Sequence, residues 1–414
     1  MPRSGPAPRG RRAITAAAAV GLLLSLLTAC TGDGAVRDFA AAFADDPAVA
    51  SLELTSHDNQ PFTGGVSGDV VADDELTDEE FAALVARVSD YTAAHGTTMR
   101  GRVTVVGPDV SLPVSGVTTE DATRVAFLLA LREQPGFVAG SLTGDDAVSL
   151  SVRVLMADDA FAVAGLVPAL ADDAGVAGSM DVTARTDDDT TVLTDLSEAR
   201  LTEAAAVWSA VSHDVTVSGI RADDTVTTVA LEHESDLAAA EAASAQVGSV
   251  TPIRFESDRV RLGNADGTIA RSLLGLLDDP TRELVRFVWE SEGAVQVMAV
   301  DASAVPALVT PVGSSASQAG AQSAHVRAEG GTSVTVDLPR PDELATLTIV
   351  LAQLVAADAV TSIAIGPRSA RITAPDASDA EVDRFTELLV EFGDPGTRVC
   401  VERDDRASCT TVAR

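Results

Sequence analysis

The chain has 414 residues, 46% of them apolar but only 3% aromatic, and a formal charge of −33. That length permits two to four domains, whose cores must be built from Val, Leu, Ile and Ala. Its acidic balance argues against nucleic acid, where affinity comes from basic groups on phosphates, and its lack of any lysine excludes Walker-type phosphate loops, Schiff-base lysines and serine–lysine dyads.

Arg3, Arg9, Arg11 and Arg12 precede an apolar run from Ala13 to Leu27 that is interrupted only by Thr15, Gly21 and Ser25. A basic end, a short greasy stretch and small residues at its exit are the layout of a secretory signal. A bilayer span would need roughly 20 apolar residues. Leu27, Thr28, Ala29 and Cys30 resemble the bacterial lipobox, a resemblance confined to the first 30 residues. It implies that residues 1–29 are a signal peptide, removed when the Cys30 thiol takes a diacylglycerol. The mature chain would then have 385 residues and a charge of −37, since the removed segment holds four arginines and no acid. The expected location is extracytoplasmic, lipid-anchored to the outer face of the cell membrane. An uncleaved anchor helix, or an ordinary signal with a coincidental cysteine, is the alternative. Abundant Ala, Asp and Val without lysine is the composition of a GC-rich genome, which points to an actinobacterial source or, failing that, a salt-adapted archaeon.

The small, polar, acidic segment from Thr31 to Pro47 reads as part of a lipidated tether over 30–47. In "LTDEEFAALVARVSDY", Thr77 and Glu80 form a capping box ahead of the stripe Phe81, Leu84, Val85, Val88 and Tyr91, which predicts an amphipathic helix. Further helices are predicted at 118–131, 157–171, 196–211, 236–245, 268–277 and 341–355. Between them, "AVSLSVRVL" sets Val148, Leu150, Val152 and Val154 on one face and Ser149, Ser151 and Arg153 on the other, as in a half-buried strand. Comparable strands are expected at 214–220, 225–231, 294–300, 333–338, 361–366 and 369–373. Asp301 to Ala324, ending in "GSSASQAGAQSA", reads as a short helix followed by a flexible loop. "ASDAEVDRFTELLVEF" repeats the first helical plan, with Ser378 and Glu381 as the box and Val382, Phe385, Leu389 and Phe392 as the stripe. Cys400 and Cys409 flank a hairpin turn, and in an oxidising compartment they are expected to pair as a disulfide.

The elements alternate as helix, two strands, helix, two strands, and the turns at Gly144 and Ala222 lie 78 positions apart. A period of about 75 residues with strand, helix, strand, strand, helix, strand order predicts an α+β array of ferredoxin-like (split βαβ) repeats, antiparallel sheets with helices on one face. The units would cover 48–146, 147–224, 225–293 and 294–368, followed by a terminal half unit with the disulfide hairpin at 369–414. At fold level such modules are similar to small envelope modules of the BON type. The alternative is pairing of half units across these boundaries, giving two larger bodies with continuous sheets.

No catalytic, metal or cofactor constellation emerges. His57, His95, His213, His233 and His325 are scattered, none at metal-ligand spacing from another. His213 and His233 bracket a strand pair and either converge or, in the preferred reading, sit at exposed hairpin ends. The acidic runs, from Asp45-Asp46 to Asp278-Asp279 and including Asp187 to Asp189, fall at predicted turns and helix ends, which Asp favours. "GNADGT" at 263–268 resembles a fragment of a calcium loop but lacks its distal ligands, so a tight turn is expected. Trp208, Trp289 and Tyr91 are assigned to cores. The expected role is therefore non-catalytic: an anchored binding or scaffold protein whose partners are the membrane, through its lipid, and an envelope protein or wall polymer. A solute-binding lipoprotein or cell-wall hydrolase with a cleft between modules is the rival.

Overall fold

The computed structural model describes residues 32–58, 64–96, 102–144, 148–336, 341–392, 395–404 and 406–413. The signal segment, Cys30 and the Asp145-Asp146 turn lie outside them. Two compact units are present, one reaching Ala205 and including Arg221–Asp224, the other holding Ala206–Ile220 and Thr225 onward.

The first unit opens with a helix, α1 (Gly32–Phe43), and then repeats one plan of hairpin and helix. Strands β1 (Val49–Asp58) and β2 (Gly64–Ala72) lead to α2 (Asp78–Ala94); β3 (Val103–Val106) and β4 (Val110–Val114) lead to α3 (Thr118–Arg132). Next, β5 (Phe137–Thr143) and β6 (Val148–Val154) lead to α4 (Ala157–Ala174), and β7 (Met180–Thr186) and β8 (Thr191–Thr194) to α5 (Glu198–Asp214). The chain continues through β9 (Val217–Ala222), β10 (Thr227–Leu231), α6 (Leu237–Val247) and β11 (Ile253–Glu256).

In the remainder of the second unit come β12 (Val260–Leu262), α7 (Thr268–Leu276), the short α8 (Asp279–Glu283), β13 (Val285–Ser291) and β14 (Ala294–Ala299). After α9 (Val305–Ala319) lie β15 (Ser323–Arg327), β16 (Ser333–Val336), α10 (Pro341–Val355), β17 (Ser362–Gly366) and β18 (Ser369–Thr373). The last elements are α11 (Asp379–Phe392), β19 (Arg398–Glu402) and β20 (Ala407–Thr411).

Among the described residues the class is mixed α and β, with two large sheets of eleven and nine strands whose spatial order follows the chain. Pairing alternates: β1 and β2 are antiparallel, β2 and β3 parallel, β3 and β4 antiparallel, β4 and β5 parallel. The second sheet alternates in the same way from β12 to β20. This corrects the ferredoxin-like expectation. In a split βαβ unit a third strand separates the parallel pair; here the two strands joined by each helix are direct neighbours. The repeat is one hairpin plus one helix, with helices starting at 78, 118, 157 and 198, so each begins 39 to 41 residues after the last. Both topologies share one element order, which is why periodicity cannot separate them. Continuous pairing also leaves far fewer unpaired edges than a string of separate four-stranded modules.

Helices cover one sheet face, because successive ones pack on each other: α2 on α3, α3 on α4, α9 on α10 and α10 on α11. The covered face of β6 buries Val148, Leu150, Val152 and Val154, while Arg153 is exposed on the other. Against that layer α2 seats Phe81, Leu84, Val85 and Val88, each worth about 1.5–3 kcal/mol when fully buried. The predicted box caps this helix: the Thr77 hydroxyl accepts from Glu80 N at 3.3 Å and Glu80 Oε2 accepts from Thr77 N at 2.9 Å. Ser378 and Glu381 do the same for α11, at 3.3 and 2.7 Å.

Two segments differ from expectation. The supposed tether is α1, which docks on the core through Phe39 and Phe43; their rings lie 4.7 Å apart and 5.1 and 5.6 Å from that of Tyr91. A spacing of four residues puts both rings on one helical stripe. The expected flexible loop after Asp301 is mostly α9, which continues to Ala319 and ends on Gly320 at φ +89°. Val305, Leu308, Val309, Val312 and Ala316 are buried there, and small residues let α7 and α10 approach closely. The strand expected at 214–220 begins at Val217 because α5 persists to Asp214.

Candidate binding faces

Cys400 and Cys409 face each other across β19 and β20 and form the expected disulfide, with Cα atoms 4.1 Å apart. The histidines do not gather. His95 stacks on Tyr91 at 4.0 Å, its Nδ1 2.8 Å from the Tyr91 carbonyl. His213 is exposed in the last turn of α5 and lines a shallow depression with Ser209, Asp214 and Gln246; His233 is exposed ahead of a 3-10 turn. The side chain of His57 lies outside the described residues. Among the described residues no group of three or more His, Cys, Asp or Glu could hold a metal ion, and no helix is long and apolar enough to cross a membrane.

The acidic turns are occupied by their own hydrogen bonds. Asp188 accepts from the Thr186 hydroxyl at 2.7 Å and from Thr190 N and Oγ1 at 3.1 and 2.8 Å, which holds its carboxyl below the usual range. Its neighbours Asp187 and Asp189 pair with Arg153 and Arg185 at 2.9 and 3.2 Å. In "GNADGT", Asp266 Oδ1 accepts from Thr268 N at 2.9 Å and Gly267 takes φ +85°, a tight turn that starts α7.

The sequence pattern gave the two faces of single strands but not the rows that pairing makes across the uncovered face of each sheet. In the first unit, β4 to β8 align Ser111 with Ser141, Ser141 with Ser151, Ser151 with Thr183 and Thr183 with Thr194. Hydroxyls thus run straight across five strands, and Ser111, Ser141 and Ser151 share a depression with Arg153 and Arg185. Those arginines are held by the ion pairs just described.

The second unit has a different surface. On its covered face the register runs Val288, Val297, Val326, Val334 and Ile365, all buried. On the opposite face it runs Arg261, Trp289, Gln296, His325 and Thr335, one side chain from each of β12 to β16. Beside it lies a second row of Phe287, Met298, Arg327 and Ser333, which continues through Ala364 and Arg371 to Cys400 and Cys409. Trp289, assigned to a core from sequence, therefore stands half-buried on an uncovered sheet face. Its ring rests on Gly263, where an added Cβ would come within 2.8 Å of Trp289 Cζ2. Arg261 lies over Phe287, 5.8 Å from the ring centroid, and His325 Nδ1 is 3.1 Å from Thr335 Oγ1. Arg327 Nη1 reaches Gln296 Oε1 at 3.4 Å, joining the rows. Burial first, then the Arg327 charge, hold the His325 imidazole below its ordinary pKa, so it is neutral at pH 7.

Charge is sorted between the layers. The uncovered strand positions of the second sheet carry Arg261, Arg327, Arg371 and Arg398 against Glu402, which pairs with Arg371 at 3.2 Å, and exposed Arg286 of β13 pairs with Glu329. The described side chains of α7 to α11 carry six carboxylates, Asp279, Glu283, Asp379, Glu381, Asp383 and Glu387, against three arginines. Local pattern in the chain gives alternation alone. Pairing register, which brings the five side chains into one row, depends on which strands meet. Comparison of the chain with protein-family models, curated proteins and solved structures finds no match in any of the three.

Proposed function

We propose that this chain is a lipid-anchored, extracytoplasmic binding or scaffold protein of the cell envelope, held by an acylated Cys30 and acting without catalysis. The observation that carries the binding role is the uncovered face of the second unit, where Trp289, Phe287 and four arginines share a surface on a strongly acidic chain. Neutral hydrogen-bonding groups beside aromatic faces recognise a ligand by contact, with no nucleophile, general base or metal needed. The lipobox-like Leu27 to Cys30 supports the anchor. Two acyl chains or more give durable attachment at about 0.8 kcal/mol per buried methylene.

Labelling cells with palmitate tests the anchor. Wild type takes up label and sediments with membranes, and the Cys30→Ser chain does neither. An unlabelled wild type, or a Cys30→Ser chain that stays with the membrane, removes the anchor from the account. Crosslinking in intact cells, with a photoreactive residue replacing Ser333 beside Arg327 on that face, tests the binding role. An adduct with an envelope protein or wall polymer is expected, and its absence counts against that role.

A further inference from the structure

We propose that the uncovered face of the second unit binds a linear carboxylated polysaccharide laid across its strands. This rests on the reading of the chain as an envelope binding protein and names the chemistry of its partner. Three observations carry it. The first is charge complementarity: Arg261, Arg327 and Arg398 occupy this face without a carboxylate partner among the described ion pairs, beside the balanced pairs Arg371–Glu402 and Arg286–Glu329, on a chain of formal charge −33. Guanidinium forks match carboxylates bidentately, so an anionic ligand is selected here and repelled by the helical layer.

The second is the pairing of flat apolar faces with groups that both donate and accept. Phe287 and Trp289 point the same way from β13, and Gly263 leaves the space in which the Trp289 ring is seated. Next to them stand an amide, an imidazole and a hydroxyl, from Gln296, His325 and Thr335. Sugar rings present the matching alternation, apolar C–H faces and hydroxyl edges that donate and accept. A simple polyanion would need the charges and have no use for the rest.

The third is spacing. The row Arg261, Trp289, Gln296, His325 and Thr335 steps once per strand, and strands are about 4.8 Å apart. A β-1,4-linked pyranose chain advances by close to one such step per sugar. An extended peptide rises only about 3.3 Å per residue and adds to sheets at their edges, so it neither matches the row nor uses the face.

The experiment uses the mature lipidated chain in detergent, with polymannuronate as probe, read by tryptophan fluorescence and affinity electrophoresis. Binding is expected, weakening with salt. Neutral cello-oligosaccharides should bind at least tenfold more weakly and polyglutamate should not compete. Trp289→Ala should weaken binding about tenfold. Exposed Arg327→Gln should weaken it several-fold and flatten its salt dependence, while Arg384→Gln on α11 should leave it unchanged. Arg327→Gln keeps the test open if Trp289→Ala does not fold. Equal binding of the neutral glycan, competition by polyglutamate, or indifference to Arg327→Gln would each overturn the proposal, as would no binding at all. Palmitate labelling and crosslinking are read separately, so loss of this ligand is distinguishable from loss of the envelope role.

Discussion

Asp121 shows how an acidic residue can serve the fold alone. It is fully buried near the start of α3, accepting from Ser89 Oγ at 2.7 Å, Ser115 N at 3.0 Å and Gly116 N at 3.2 Å, with Arg124 at 3.9 Å. Asp121→Ala strands the buried Ser89 hydroxyl and leaves the buried Arg124 guanidinium without its carboxylate, and a loss of about 3 kcal/mol is expected in denaturant unfolding. His325 acts in the opposite sense, through a proton it resists. Its folded pKa lies below the ordinary 6.5, from burial and then from Arg327, so the unfolded chain binds the proton more readily. Stability is full above pH 6.5 and declines as pH falls from there toward the folded value. His325→Gln should remove that part of the slope, read as unfolding midpoints between about pH 7 and pH 5. An unchanged slope would show that other groups set it. Thr335 and Gln296 face the ring without titrating, and Arg327 stays charged throughout.

Elements with a strong local signature were legible in the amino-acid sequence. The boxes Thr77–Glu80 and Ser378–Glu381 marked two helix starts to the residue, because a cap is a short-range hydrogen-bond pattern. Alternation in "AVSLSVRVL" gave both faces of β6. The misses were elements whose stability is tertiary. α1 has only 12 residues, and its glycines fall in the first turn, so even with its alanines it is too short to hold alone and its order comes from docking its two phenylalanine rings. α9 combines Pro311, Gly313 and a Ser-rich end, all turn-like locally, yet it is fixed between α7 and α10 by burial. A tether and a docked helix make different predictions. Phe39 is fully buried, so Phe39→Ala should cost about 3–5 kcal/mol and speed proteolysis within 32–43, whereas a tether would tolerate it. Register was the part of the candidate site that local pattern could not give. Arg261 and Thr335 belong to one row only because every intervening strand pairs as it does.

For the molecule as a whole, stacking one hairpin and helix on the next makes stability a matter of neighbouring contacts more than of distant ones. Such a chain frays from a terminal repeat unless that repeat is closed. The second sheet ends on β20, whose five residues are all exposed and whose ladder neighbour is β19 alone. The disulfide from Cys400 to Cys409 sits there, tying the terminal strand across a separation of nine residues. A loop that short removes modest entropy, about 2–3 kcal/mol in the chain model, but it is applied where an array is weakest. The Cys400→Ser, Cys409→Ser double variant should therefore lose hydrogen-exchange protection in β18 to β20 by up to that amount. Amides of β13 and β14, several strands away in the same sheet, should change little. Uniform loss across the sheet would mean that it opens as one block. A local loss would show that the clasp guards the end of the Arg371 row without setting the stability of the rest.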